Sequence, residues 1–168
     1  MAASSDAALT VFAWGNVSRG DDAIGAILAS RVIDLGNAAI NVVEDHQLNI
    51  EHVMDFEDGV PALFIDASVA IDTAYKLEKL SPFGDASIST HSISPSALLE
   101  LYEQTLGKPA PDAYLLHVRG EEFELGDGIS ASTKVAVDRA WKFLDELFAG
   151  PCESWAEALS SASSGEAT

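Results

Sequence analysis

Three side chains, far apart in the chain, are chemically suited to hold a cation: Asp22, Asp66 and His91. Asp22 and its neighbour Asp21 sit in 15-GNVSRGDDAIG-25, between an apolar run, 9-LTVFAWG-15, and a helix-like run, AIGAILASRVI. Strand, glycine turn and helix is the architecture of many phosphate sites, but two adjacent carboxylates repel a phosphate and attract a metal. Asp66 closes the apolar stretch 62-ALFIDAS-68, and His91 lies in 82-PFGDASISTHSI-93. Two oxygens and an imidazole make a borderline donor set, compatible with nickel, zinc, manganese or iron.

Each residue has a plainer explanation when taken alone. Acids at a helix start complement the dipole, an aspartate at a strand end caps the next turn, and a histidine in a Ser/Thr-rich loop can be solvated. The case for a site rests on whether the fold brings them together.

The apolar pattern predicts strands at 9–15, 39–44, 62–68, 75–81 and 113–118 and helices at about 22–35, 48–57, 95–106 and 131–148. Ser94 followed by Pro95 marks a helix start, since proline's missing N–H costs nothing at the first helical position. This alternation implies a single-domain α/β three-layer sandwich, with a mostly parallel five-stranded sheet and helices on both faces. Only six residues, 69–74, separate the third and fourth strands, too few for a crossover helix, so the fourth strand is expected to be antiparallel. The helix at 95–106 must then begin at the carboxyl edge of the sheet to feed a parallel fifth strand. In the usual winding the first and third strands are neighbours at the topological switch point. Asp22, Asp66 and His91 then converge on one edge.

Residues 1–8 read as a flexible N-terminus, 9–149 as the domain, and the small, polar 150–168 as a mobile tail. The chain of 168 residues carries 27 acids against 9 Lys plus Arg, a net charge of −18. That excludes the basic footprint that nucleic acid and anionic membranes require. One cysteine, Cys152, rules out an internal disulfide framework. No apolar run is long enough for a membrane span, and the first residues lack a signal-peptide pattern, so a cytoplasmic monomer is expected. The glycines do not make GxGxxG, and there is no Walker lysine, HExxH or GxSxG. Among the other histidines, His46 and His52 flank the second strand, and His117 is expected to be packed within the fifth; Asn16 is expected to serve the turn.

The combination of 15-GNVSRGDDAIG-25, FIDAS ending at Ser68, and 90-THSIS-94, with 126-GDGIS-130 before the last helix, resembles the hydrogenase maturation endopeptidases. These proteases trim the C-terminus of the nickel–iron hydrogenase large subunit. The resemblance spans about residues 10–148 and implies that Asp22, Asp66 and His91 bind nickel presented by the large-subunit precursor, which is cut once near its C-terminus. The chain departs from the family in two places. The family often has Glu at the position of Asp22. Many members carry a DGG-type turn after the second strand, where this chain has 44-EDHQLNIEH-52, keeping the acid as Asp45 but not the glycines. Asp21 and Asp45 are candidates for the general base.

Two other readings compete. A receiver domain also pairs acids near its first strand with an Asp ending the third, but here the acids follow the strand by six or seven residues, Arg119 stands where a lysine is needed, and His91 has no task. A non-catalytic metal- or partner-binding scaffold on the same fold is the other.

Overall fold

The computed structural model describes residues 6–15, 20–84, 92–121 and 128–165; the side chains of Asp21 and Asp22 lie outside the description. Five strands, β1 (Leu9–Trp14), β2 (Ile40–Asp45), β3 (Ala62–Ser68), β4 (Tyr75–Leu80) and β5 (Ala113–Arg119), form one sheet in the order β2-β1-β3-β5-β4. β1 pairs in parallel with β2 and β3, and β3 with β5, while β4 runs antiparallel to β5. This is the expected α/β arrangement, including the one reversed strand.

Helices cover both faces. On one side α1 (Ile24–Asp34), α3 (Ala131–Ala149) and α4 (Trp155–Ser164) pack over Leu9, Val11, Leu63, Ile65, Leu116 and Val118. On the other, α2 (Pro95–Leu106) and a 3-10 segment, Ile50–Asp55, pack over Phe12, Phe64 and Leu115. Because both faces are buried, the central strands read as continuous apolar runs and not as alternating ones. On the second face Phe12 stacks on Phe64 at 4.9 Å between centroids, and Phe56 bridges them to Tyr102.

Helix ends follow local chemistry. Ser94 caps α2 by accepting the Ala97 N–H at 3.1 Å, Pro95 occupies the first turn, and Gly107 ends the helix with φ 66°. Ser130 caps α3 through the Thr133 N–H. Two elements differ from the expected ones. The helix predicted at 48–57 is only the 3-10 segment Ile50–Asp55, because Phe56 leaves it in an extended conformation that sends its ring into the aromatic cluster. Six residues between a cap and that anchor favour a tight 3-10 coil over a multi-turn α-helix. The second difference is at the C-terminus. Residues assigned to a mobile tail instead form a short turn, Cys152–Ser154, and α4. Trp155 is 1% exposed and Leu159 fully buried, so this segment completes the core above β4. Its surrounding Ser and Ala residues conceal two large apolar anchors, four apart on one helical face.

At the amino edge of the sheet, the Tyr102 hydroxyl donates to Asp58 at 3.0 Å, and Lys108 pairs with the same carboxylate. Those hydrogen bonds hold Asp58 below the usual carboxylate range, the one from Lys108 most strongly. No helix among the described residues is long and apolar enough to cross a membrane.

Candidate functional site

The carboxyl edge of the parallel strands is where the predicted residues were expected to meet. β1 ends at Trp14, and the chain re-enters the described structure at Gly20, whose φ of 55° suits glycine. A 3-10 turn, Gly20–Ala23, follows and leads directly into α1. The backbone of Asp22 lies in that turn, one residue before Ala23. Gly25 lets the helix press against the strand: a Cβ there would collide with the carbonyl oxygen of Trp14. The GDDAIG sequence therefore works as a unit, in which Gly25 fixes how closely the Asp22 turn sits over the end of β1.

Asp66 lies in β3 and is paired with His117 of β5. The strand continues two residues further, to Ser68, so Asp66 is near its end but not its last residue. Alternation places Asp66 on the same face as Phe64, the α2 face. The register extends this position into a row. Trp14 is paired with Asp45, and Ala13 with Ile65, which puts Trp14 at the level of Asp66. Asp45, Trp14, Asp66 and His117 thus cross four adjacent strands at one level. All four share the α2 face, in phase with Val43, Phe12, Phe64 and Leu115.

The loop before α2 reaches the same edge. The Ile93 N–H donates to the Leu48 carbonyl at 3.3 Å, three residues beyond the end of β2. His91, two residues earlier, lies outside the described residues, as do Asn16 and the segment 126–127 of the GDGIS motif. Among the described residues no group of three or more His, Cys, Asp or Glu could hold a metal ion. Asp66 is the one member of the predicted triad whose side chain is described.

Two histidines contribute more than their sequence positions suggested. His52 is 6% exposed, and its Nε2 lies 3.3 Å from Asp45 Oδ2. The Asn49 N–H donates to His52 Nδ1 at 2.9 Å, and in the tautomer that accepts it the ring hydrogen sits on Nε2, facing the carboxylate. Asp45 Oδ1 also accepts the His46 N–H at 2.7 Å. The carboxylate is therefore held from two sides. The Asn49-x-x-His52 spacing is a capping box with histidine in the reciprocal role, a readable signal that was missed because Glu or Gln normally fills it. His117, expected to be packed, is instead half-buried beside Asp66 and is paired with Glu78 at 2.8 Å. Its strand phase placed it on the α2 face; only the register placed it next to Asp66.

Among the described side chains, this edge offers two carboxylates, Asp45 and Asp66, each on its own strand, and an imidazole, His117, backed by the Glu78 carboxylate. Carboxylate and imidazole groups of this kind can accept and donate protons. No family model and no curated protein sequence matches the chain. Solved structures do. The NiFe hydrogenase maturation protease HycI from Thermococcus kodakarensis KOD1 superposes with a TM-score of 0.63 at 21% identity, covering 82% of this chain and 90% of that one. The hydrogenase maturating endopeptidase HybD from E. coli gives 0.61 at 17%, over 81% and 88%. A hydrogenase 2 maturation peptidase from a Thaumarchaeota archaeon gives 0.60 at 16%, over 83% and 97%. In architecture, over most of its length, this chain has the fold of the hydrogenase maturation proteases.

Proposed function

We propose that the chain is an endopeptidase that removes the C-terminal extension of a nickel-loaded hydrogenase large-subunit precursor. The observation that carries this reading is the row Asp45–Trp14–Asp66–His117 at the switch-point edge, with the Asp22 turn beside it, on a fold shared with solved hydrogenase maturation proteases. Asp22, Asp66 and His91 are assigned to grip the nickel that the substrate carries. A metal held there would supply Lewis-acid polarisation of a scissile carbonyl or a water. Asp45 is the better placed of the two candidate bases, because His52 and the His46 amide orient its carboxylate towards one geometry. The loss of the glycine turn after β2 is then compensated by a side-chain brace.

The test is a mass measurement. Purified protein is mixed with nickel-loaded and nickel-free forms of each large-subunit precursor from the source organism, and the products are weighed. Loss of one C-terminal peptide from a nickel-loaded form alone is the expected result. An intact precursor in every mixture would overturn the protease reading and favour a non-catalytic scaffold.

A further inference from the structure

His117 does not fit the chemistry of its strand. β5 reads AYLLHVR, and on the α2 face Ala113 and Leu115 precede His117 and are buried. The cover provided by α2 stops there, and the imidazole stands half-buried at the level of Asp66. Strand formation gives no reason for a histidine at this step, where a β-branched residue would extend the core.

One ring nitrogen is already committed. His117 Nε2 lies 2.8 Å from Oε2 of Glu78, which stands on edge strand β4 at the level of Leu115. An ionised carboxylate only accepts, so Nε2 carries the ring hydrogen. Lys76 is directly opposite His117 and two residues from Glu78, yet it forms no ion pair among the described residues; the carboxylate holds the imidazole instead. Glu78 is exposed, so the pair adds little stability in water. Its consequence is to fix the ring and its tautomer. In that neutral tautomer Nδ1 is an acceptor, and it has no hydrogen bond among the described residues. A fixed, half-buried acceptor beside the carboxylate assigned to the nickel is suited to a backbone N–H of a peptide that crosses the row.

We propose that His117 Nδ1 accepts a backbone N–H of the bound substrate peptide on the β5 side of Asp66, and that Glu78 positions the ring for this contact. The inference rests on the protease reading and adds to it a residue that holds the peptide and not the nickel.

Processing of the nickel-loaded precursor, measured over a range of precursor concentrations, separates the two nitrogens. His117→Gln keeps a donor for Glu78 and loses the acceptor at Nδ1. It should raise KM about ten-fold, the scale of a substrate N–H left unpaired, and leave kcat within about two-fold. His117→Asn, whose Oδ1 falls near the place of Nδ1, should recover most of that loss. Glu78→Ala should raise KM about three-fold by freeing the ring, and it keeps the test open if the His117 variants do not fold. Long-range ¹⁵N spectra of the imidazole, taken without substrate, should show the Nε2–H tautomer in the parent and lose that preference in Glu78→Ala. Asp138→Asn breaks the exposed pair with Arg31 on the opposite face of the sheet and should leave KM unchanged. Parental KM for His117→Gln and Glu78→Ala, an equal rise with Asp138→Asn, or a parent ring in the Nδ1–H tautomer would each overturn the proposal while the parent still cuts. A parent that cuts no precursor would overturn the protease reading and this contact with it.

Discussion

The Nε2 of His52, buried beneath the 3-10 segment, lies 3.3 Å from the Oδ2 of Asp45 at the end of β2. The ring does two jobs at once: Nδ1 accepts the Asn49 N–H, and Nε2 faces the carboxylate. Two substitutions separate them. His52→Asn keeps an acceptor near Nδ1 and loses the donor to Asp45, whereas His52→Gln keeps the donor. If Asp45 must be oriented for processing, His52→Asn should slow cleavage about ten-fold or more with little loss of stability, and His52→Gln should restore most of the rate. His52→Leu removes both and should also cost about 1–3 kcal/mol, because the Asn49 amide loses its partner. Single-turnover rates and urea midpoints check these outcomes; equal rates for the Asn and Gln variants would contradict the positioning role.

His91→Ala should abolish processing and change the free energy of unfolding by less than about 0.5 kcal/mol, as expected of a side chain that serves the substrate and not the core. Asp66→Asn should do the same to processing. Cleavage at the parental rate by a folded His91→Ala protein would remove that residue from the site.

Gly25→Ala sets two effects against each other. Alanine gains about 1 kcal/mol of helix propensity over glycine. The new methyl would strike the Trp14 carbonyl, and relief requires α1 to move off β1. Overpacking of that kind costs about 1–3 kcal/mol, so a net loss of stability is expected, together with displacement of the Asp22 turn. Chemical denaturation and the rate of processing should fall together.

Trp155→Ala tests the C-terminal helix as part of the domain. The indole is 1% exposed, packs edge-on against Phe148 at 5.2 Å and donates to the Gly150 carbonyl at 3.1 Å. Its loss should cost about 3–5 kcal/mol, and a chain ended at residue 149 should be destabilised at least as much. A truncated chain with an unchanged melting curve would mean that α4 adds nothing.

Asp58 links the stability of the amino edge to pH. Its carboxyl is held below the ordinary value of 3.8, first by the hydrogen bond from Lys108 and then by that from Tyr102. A depressed folded value favours the folded state above the ordinary carboxylate range. That contribution declines as pH falls below 3.8 and is gone once the folded carboxyl is itself protonated. Lys108→Met should therefore flatten the acid limb of stability against pH and leave its neutral limb nearly parallel. Urea midpoints between about pH 5 and pH 2 resolve it.

Much of this architecture is a local property of the chain. Runs such as 62-ALFIDAS-68 specify strands buried on both faces, Ser94–Pro95 specifies the start of α2, and the six residues 69–74 force β4 to turn back. The Asp22 turn could also be placed at the carboxyl edge, since a helix that follows a parallel strand must begin there. Periodicity assigns each side chain to a face of its own strand. It does not assign the level at which one strand meets the next, because backbone pairing between residues such as Asp66 and His117 is nearly independent of the side chains involved. Tertiary packing chose that level, and with it brought His117 beside Asp66 and Trp14 beside Asp45. It also decided what two sparse anchors could not announce. Trp155 and Leu159 hold α4 in the core although their neighbours are small and polar, and His52 braces Asp45 because the 3-10 segment folds its ring under the strand end. Local sequence thus determined which elements form and which way they run. Long-range packing decided which side chains share a site, since that depends on contacts between segments separated by tens of residues.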